Sequence, residues 1–308
     1  MNRIGGLRGL VTVVALYLSI TACAGTSSPK AASNGGDQLH DADFDLLFAT
    51  EFPVANKAEA LSRAASAIKE RDVDRALFFY IKALQFDPQD ADLLALIGNI
   101  HRMQQRAEYA VRAYTLALRV DPDHLPSLEG RGLILLAHNE DTLAAKDLAR
   151  TVAISPDAWR AYNGLGILAD RREEHGLAVS YYDLALTNPA ADSAVLLNNR
   201  GYSNLLSGRY NSAQSDLEMA AIKLGYTQAW VNLGTVYARQ RQYQRAVEAY
   251  RQVLNEPEAC NKAAAVAIED GELDAAERLL ERAIRLSPTY YPEAEESLAQ
   301  LRQNARNF

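Results

Sequence analysis

The chain has 308 residues, with 32 Lys and Arg against 39 Asp and Glu, a formal net charge of −7 and 48% hydrophobic residues. That acidity argues against nucleic acid as a partner, because phosphate binding needs a basic surface. Five scattered histidines and two cysteines, with no His-x-x-x-His and no Cys-x-x-Cys, provide no zinc-ligand spacing. No Gly-x-Ser-x-Gly or phosphate-loop motif is present, so an enzyme, a metal site or a small-molecule substrate is not expected.

At the N-terminus, Arg3 and Arg8 precede the apolar run LVTVVALYLSI (10–20), and no acid occurs before Asp37. A basic start, a short apolar core and small residues at its exit are the three parts of an export signal. The uncharged stretch from Gly9 to Ala22 falls short of the ~20 residues a spanning helix needs, so cleavage is expected over retention. Ile20-Thr21-Ala22-Cys23 resembles the bacterial lipobox. That resemblance implies residues 1–22 as a lipoprotein signal peptide and Cys23 as the acylated new N-terminus. Its acyl chains would supply membrane affinity at ~0.8 kcal/mol per buried CH₂. Ala24, where many inner-membrane lipoproteins of Gram-negative bacteria carry Asp, implies the periplasmic face of the outer membrane. No cofactor is expected beyond this lipid. Cys260, left without a disulfide partner, is expected to pack in a helix as a small apolar residue.

Residues 23–56 are rich in Gly, Ser, Ala and acids and show no sustained helical pattern. They read as a flexible acidic tether, although Phe44, Leu46, Leu47, Phe48 and Phe52 carry more apolar surface than a tether needs. Asp41, Asp43 and Asp45 alternate like calcium ligands, but no glycine and no closing Glu follow at the required places.

Beyond residue 57 the chain repeats itself every 34 residues. Ala76, Ala110, Ala144 and Ala178 keep this spacing, as do Gly98, Gly132 and Gly166, and Pro88, Pro122 and Pro156. Tyr80, Tyr114, Leu148 and Tyr182 stand four residues after each alanine, which places them on one helix face. After Pro189 the beat shifts to 35 and then 33, through Gly201 and Gly234, and closes at Pro288. Seven helix pairs follow, starting near 57, 91, 125, 159, 194, 227 and 257. Each is an apolar helix A, a short polar turn, an amphipathic helix B and a turn that in most units is closed by proline, which disfavours helix in the residue before it.

This pattern resembles the tetratricopeptide repeat, with Trp230, Leu233, Gly234, Tyr237, Ala246 and Tyr250 at the places expected for that unit. The resemblance implies an all-α, right-handed superhelical solenoid over 57–289, with glycine and alanine where helices A and B touch. Residues 290–308, acidic early and basic late, suit a solvated C-terminal capping helix.

Such a solenoid works through its concave groove. By comparison with peptide-binding members of the family, the partner-binding positions here are Asn99, Arg160, Asn163, Asn198, Asn199, Tyr202, Asn232 and Arg239, with Asp170 and Arg171 beside them. Asparagine both donates to and accepts from an extended peptide backbone, and it is a poor helix former, so several in one stripe favour function. Ala95 stands where the carboxylate clamp of chaperone-binding relatives needs a lysine. In signal, tether and repeat style, with NNRGYSNLLSGRYNSAQSDLEMAA (198–221) as the nearest segment, the chain resembles the TadD family of Flp (tight adherence) pilus assembly lipoproteins. This implies a pilotin-like scaffold that binds protein partners, a secretin or another pilus component among them. PilF/PilW-type pilus lipoproteins and NlpI-like adaptors for peptidoglycan hydrolases and proteases are the alternatives.

Overall fold

The computed structural model describes residues 53–306. The expected signal peptide, Cys23 and nearly all of the tether lie outside the described residues. Within them are fifteen α-helices and no strand. Fourteen of these form seven antiparallel pairs: α1 (Lys57–Lys69) with α2 (Val73–Phe86), α3 (Ala91–Met103) with α4 (Ala107–Val120), α5 (Leu125–Ala137) with α6 (Asp141–Ile154), and α7 (Trp159–Arg171) with α8 (His175–Leu186). Then come α9 (Ser193–Leu206) with α10 (Tyr210–Glu218), α11 (Ala229–Arg239) with α12 (Tyr243–Tyr250), and α13 (Glu256–Glu269) with α14 (Leu273–Leu286). A π-helical turn, Met219–Lys223, prolongs α10 in the unit where the sequence beat shifts.

Side chains start several helices. Asn56, Asp72 and Asp90 accept from the backbone N–H three residues on, at 2.9 to 3.0 Å, and Asn255 with Glu258 closes a capping box. Every turn from helix A to helix B uses one residue at positive φ: Arg71, Gln105, Asn139, Glu173, Gly208, Arg241 and Gly271. The next N–H then bonds back across the turn, as in Arg106 N–H to His101 O at 2.8 Å and Glu174 N–H to Ala169 O at 2.9 Å. This Schellman-type closure satisfies carbonyls that the helix end leaves open. It folds helix B back along helix A within three residues.

The packing glycines are required by contact. A Cβ built on Gly98, Gly166 or Gly234 would lie 2.6, 2.5 and 2.6 Å from the ring of Tyr114, Tyr182 or Tyr250. At Gly132 and Gly201 it would meet Leu148 at 2.9 Å and Leu217 at 2.7 Å. The facing alanines Ala76, Ala110, Ala144, Ala178, Ala213 and Ala246 are fully buried. Gly130 and Gly164 make the same close approach to Tyr114 and Leu148 of the preceding unit, so each large side chain is clasped by two successive A helices.

The units alternate in a way the 34-residue beat conceals. The second, fourth and sixth bury a tyrosine whose hydroxyl is bonded to an A helix: Tyr114 donates to Asn99 Oδ1 at 2.8 Å, Tyr182 to Asp170 Oδ2 at 3.0 Å, and the Tyr250 hydroxyl shares a hydrogen with Thr235 at 2.8 Å. The third and fifth bury leucine instead and carry a two-pronged ion pair, Arg131 on Asp147 at 2.7 and 2.8 Å and Arg200 on Asp216 at 2.9 and 2.6 Å. Each arginine also reaches the B helix before it, Arg131 to Thr115 Oγ1 at 3.0 Å and Arg200 to Asp183 at 2.6 Å.

The last helix, α15 (Pro292–Arg306), covers the open end of the array. Ala294, Leu298 and Leu301 are buried, and Arg302 pairs with Glu277 and Glu281 of α14 at 2.7 and 2.5 Å. Its inner face is thus packed and not solvated all round. Cys260 is fully buried in α13 among alanines, where burial pushes its thiol pKa up. No helix among the described residues is long and apolar enough to cross a membrane.

Candidate protein-binding groove

From α3 onward successive A helices touch one another, whereas successive B helices are held further apart. Curvature therefore puts the A helices on the inner side, and their free faces line the groove.

At its centre four asparagines from three A helices form one hydrogen-bonded row. Asn199 of α9 donates to Asn163 of α7 at 3.0 Å, Asn198 to Asn199 at 3.2 Å, and Asn232 of α11 to Asn198 at 2.9 Å. Three bonds leave N–H groups and carbonyl lone pairs on these amides unused. Asn163, Asn199 and Asn232 are half-buried, so those groups face the groove. The row links units as well as lining it. Tyr202 stands half-buried one turn after Asn198, its phenol pKa raised by burial and by the charge of Asp170.

The remaining sequence candidates fall into two groups. Asn99 is bonded to Tyr114, as above, and Arg160 is exposed, stacked 4.6 Å over the Trp159 ring and 3.9 Å from Glu129. Three others are engaged within the protein. Arg239 pairs with Glu269 and Asp270 of the following A helix, and Arg171 with Asp141 of α6. Asp170 receives the hydroxyls of Tyr182 and Ser203, the latter at 2.6 Å, and contacts His175 Nδ1 at 2.9 Å. Sequence reasoning passed over Arg102 and Glu129, which also lie on this face. It missed the Arg131–Asp147 and Arg200–Asp216 pairs too, though both recur after the same interval of 69 residues.

One arrangement resembles a catalytic relay in its atoms alone. His124 lies between Asp92 Oδ1 at 3.0 Å and Ser127 Oγ at 2.9 Å. Ser127 is fully buried in the first turn of α5, and no substrate reaches its hydroxyl. The trio ties the second unit to the third. Among the described residues no three His, Cys, Asp or Glu side chains converge as metal ligands would.

Antiparallel helix pairs stacked around an inner groove of A helices define a helical-repeat scaffold, a class whose usual work is protein–protein interaction. Family models described as tetratricopeptide repeat match residues 96–158 and 129–194, 227–256 and 257–290, together just over half of the sequence. The chain belongs to the tetratricopeptide repeat family. It is similar to tetratricopeptide repeat protein 7B of Homo sapiens, 28% identical over 114 residues, which are 37% of this chain and 14% of that protein. The chain therefore matches only a small part of that relative's length. Among solved structures, a tetratricopeptide repeat protein from Parabacteroides merdae aligns over 80% of this chain and 98% of its own, with TM-score 0.55 and 15% identity. Pseudomonas aeruginosa PilF aligns over 68% of this chain and 97% of its own, with TM-score 0.51 and 16% identity. At these identities the likeness is one of fold.

Proposed function

We propose that this chain is a lipid-anchored, non-enzymatic scaffold that holds a protein partner in its groove at the periplasmic face of the outer membrane. There it assists assembly of a pilus secretin, as the resemblance to TadD-like lipoproteins implies. The observation that carries the partner-binding part is the row Asn163–Asn199–Asn198–Asn232. Polar amides of low helix propensity cross the inner face of three helices while retaining unused hydrogen-bonding groups. The anchor rests on the lipobox-like Ile20–Cys23. The likeness in fold to PilF supports a second reading, a type IV pilus lipoprotein of the PilF/PilW kind, ahead of an adaptor for cell-wall enzymes.

The test is a crosslinked pull-down of the tagged, full-length protein from its native membranes, read by mass spectrometry. It runs beside a variant with Asn163, Asn198, Asn199 and Asn232 changed to Ala whose helicity has been checked by circular dichroism. A secretin or pilus component captured by the first and lost with the second is the expected result. Hydrolases or proteases in its place would move the protein to the cell-wall class, and partners retained by a folded variant would show that the row is not the binding site.

A further inference from the structure

The arginines of the A helices divide sharply. Arg63, Arg131, Arg171, Arg200 and Arg239 each hold a carboxylate in a close ion pair. Arg102 and Arg160 do not. Arg102 is exposed beside the Tyr114 hydroxyl and makes no ion pair among the described residues. Arg160 has 58% of its side chain exposed, and its one carboxylate neighbour, Glu129, is 3.9 Å away.

The Arg160 guanidinium is held by the Trp159 ring, so little ordering remains there when a ligand arrives, and Arg102 lies near the Tyr114 hydroxyl. They flank the same groove-floor residue, Glu129 of α5, from α3 on one side and α7 on the other. Burial pushes the Glu129 carboxyl upward in pKa against the pull of both arginines. Thus a chain of net charge −7 presents, on one segment of its groove, two arginines that share a single carboxylate, Glu129. Met103, 63% exposed beside Arg102, adds an adaptable apolar contact.

We propose that Arg102 and Arg160 form an acid-reading subsite, which takes side-chain carboxylates of an extended partner segment lying in the groove. The inference rests on the partner-binding reading above and adds the chemistry of the partner, an acidic segment with an apolar residue beside an acid. Arginine offers a planar fork that a carboxylate fills with two parallel hydrogen bonds. Charge complementarity of this kind sets partner choice and association rate more than it sets area-driven affinity.

The probes are two biotinylated twelve-residue random peptide pools, one with Asp and one with Asn fixed at alternate positions, presented to the full-length protein in detergent. The Asp pool is expected to bind roughly tenfold tighter, with a preference that fades as salt rises. R102Q/R160Q should erase the preference and R102K/R160K, which keeps the charge but loses the fork, should retain only part of it, with circular dichroism confirming the fold of both. E129Q, which removes the competing carboxylate, should strengthen binding of the Asp pool several-fold.

Equal binding of the two pools would overturn the subsite and leave the groove reading intact. A preference that survives in folded R102Q/R160Q would place the acid-reading residues elsewhere and so overturn it too. Binding of neither pool would overturn both readings. Loss, in R102Q/R160Q, of binding to phosphatidylglycerol vesicles in place of peptide would reassign the two arginines to a lipid surface.

Discussion

Replacing Gly166 by Ala tests the contact that sets the spacing of helices A and B. The new Cβ would stand 2.5 Å from Cε1 and 2.7 Å from Cζ of Tyr182, about 1 Å inside an ordinary carbon contact of ~3.5–4.0 Å. Tyr182 is 1% exposed and has nowhere to go without moving its neighbours. Overpacking of this kind costs roughly 1–3 kcal/mol. A ring shift that loosens the 3.0 Å bond from Tyr182 to Asp170 adds about 1 kcal/mol. Alanine returns ~1 kcal/mol of helix propensity over glycine, so the net expectation is a loss of about 1–3 kcal/mol. The control is Gly176→Ala in α8, an exposed helical glycine with nothing within 4 Å of the added carbon, where the same change should stabilise by ~0.5–1 kcal/mol. Because repeat arrays often unfold in parts, urea melts by circular dichroism should be paired with hydrogen exchange resolved by peptide. Protection should fall in α7 and α8 first. Two melts displaced equally in the stabilising direction would refute the view that close approach is what demands glycine at residue 166.

At the A-to-B turns, Gln105 (φ 60°) and Glu173 (φ 61°) occupy left-handed backbone, so Gln105→Gly and Glu173→Gly should each stabilise by up to ~1 kcal/mol, while Gly271→Ala at φ 75° should cost a similar amount; urea midpoints check both signs. Asp147→Asn removes the charge of a buried carboxylate that the 22%-exposed Arg131 grips with two bonds and should cost about 1.5–3 kcal/mol, whereas the joint apolar replacement of Arg131 by Met and Asp147 by Leu should come close to neutral, a contrast that urea midpoints of the two variants read directly. Cys260, fully buried with its thiol pKa pushed up by burial, should resist maleimide in the native protein and react only on unfolding, as read by mass shift. Cys23→Ser should leave the repeats folded and move the protein from the membrane to the soluble periplasmic fraction; unchanged membrane retention would remove the anchor from the proposed function.

The helix pairs were legible because their determinants are local and repeated. Gly98, Gly132 and Gly166, with the alanines facing them, mark where two helices touch. Proline after most B helices marks where they stop. Starts at 57, 91, 125 and 159 coincide with the first residues of α1, α3, α5 and α7. After the beat shifts, the expected start near 227 becomes Ala229, and the extra winding of residues 219–223 has no local signature to announce it.

The groove was less legible for a geometric reason. Periodicity assigns a residue to a face, but whether its side chain is free depends on a partner in the next unit. Arg160 stands at the start of one A helix and Arg239 at the end of another, and the sequence does not say that Glu269 and Asp270 reach the second while only Glu129, at 3.9 Å, reaches the first. Asp170 looked available for the same reason and is filled by Tyr182 and Ser203.

Consider the asparagine row as a mechanical element. In a coil, tying adjacent turns together along the inside fixes their pitch, because any change of curvature must first stretch the ties. Asn163, Asn199, Asn198 and Asn232 tie the fourth, fifth and sixth turns in this way with three bonds of 2.9 to 3.2 Å. Among the described residues no amide row spans the inner face of the first three turns, which are linked by separate contacts such as His124 with Asp92 at 3.0 Å and Lys57 with Asp90 at 2.6 Å. The fourth to sixth turns therefore resist a change of curvature together, as one stiffened segment.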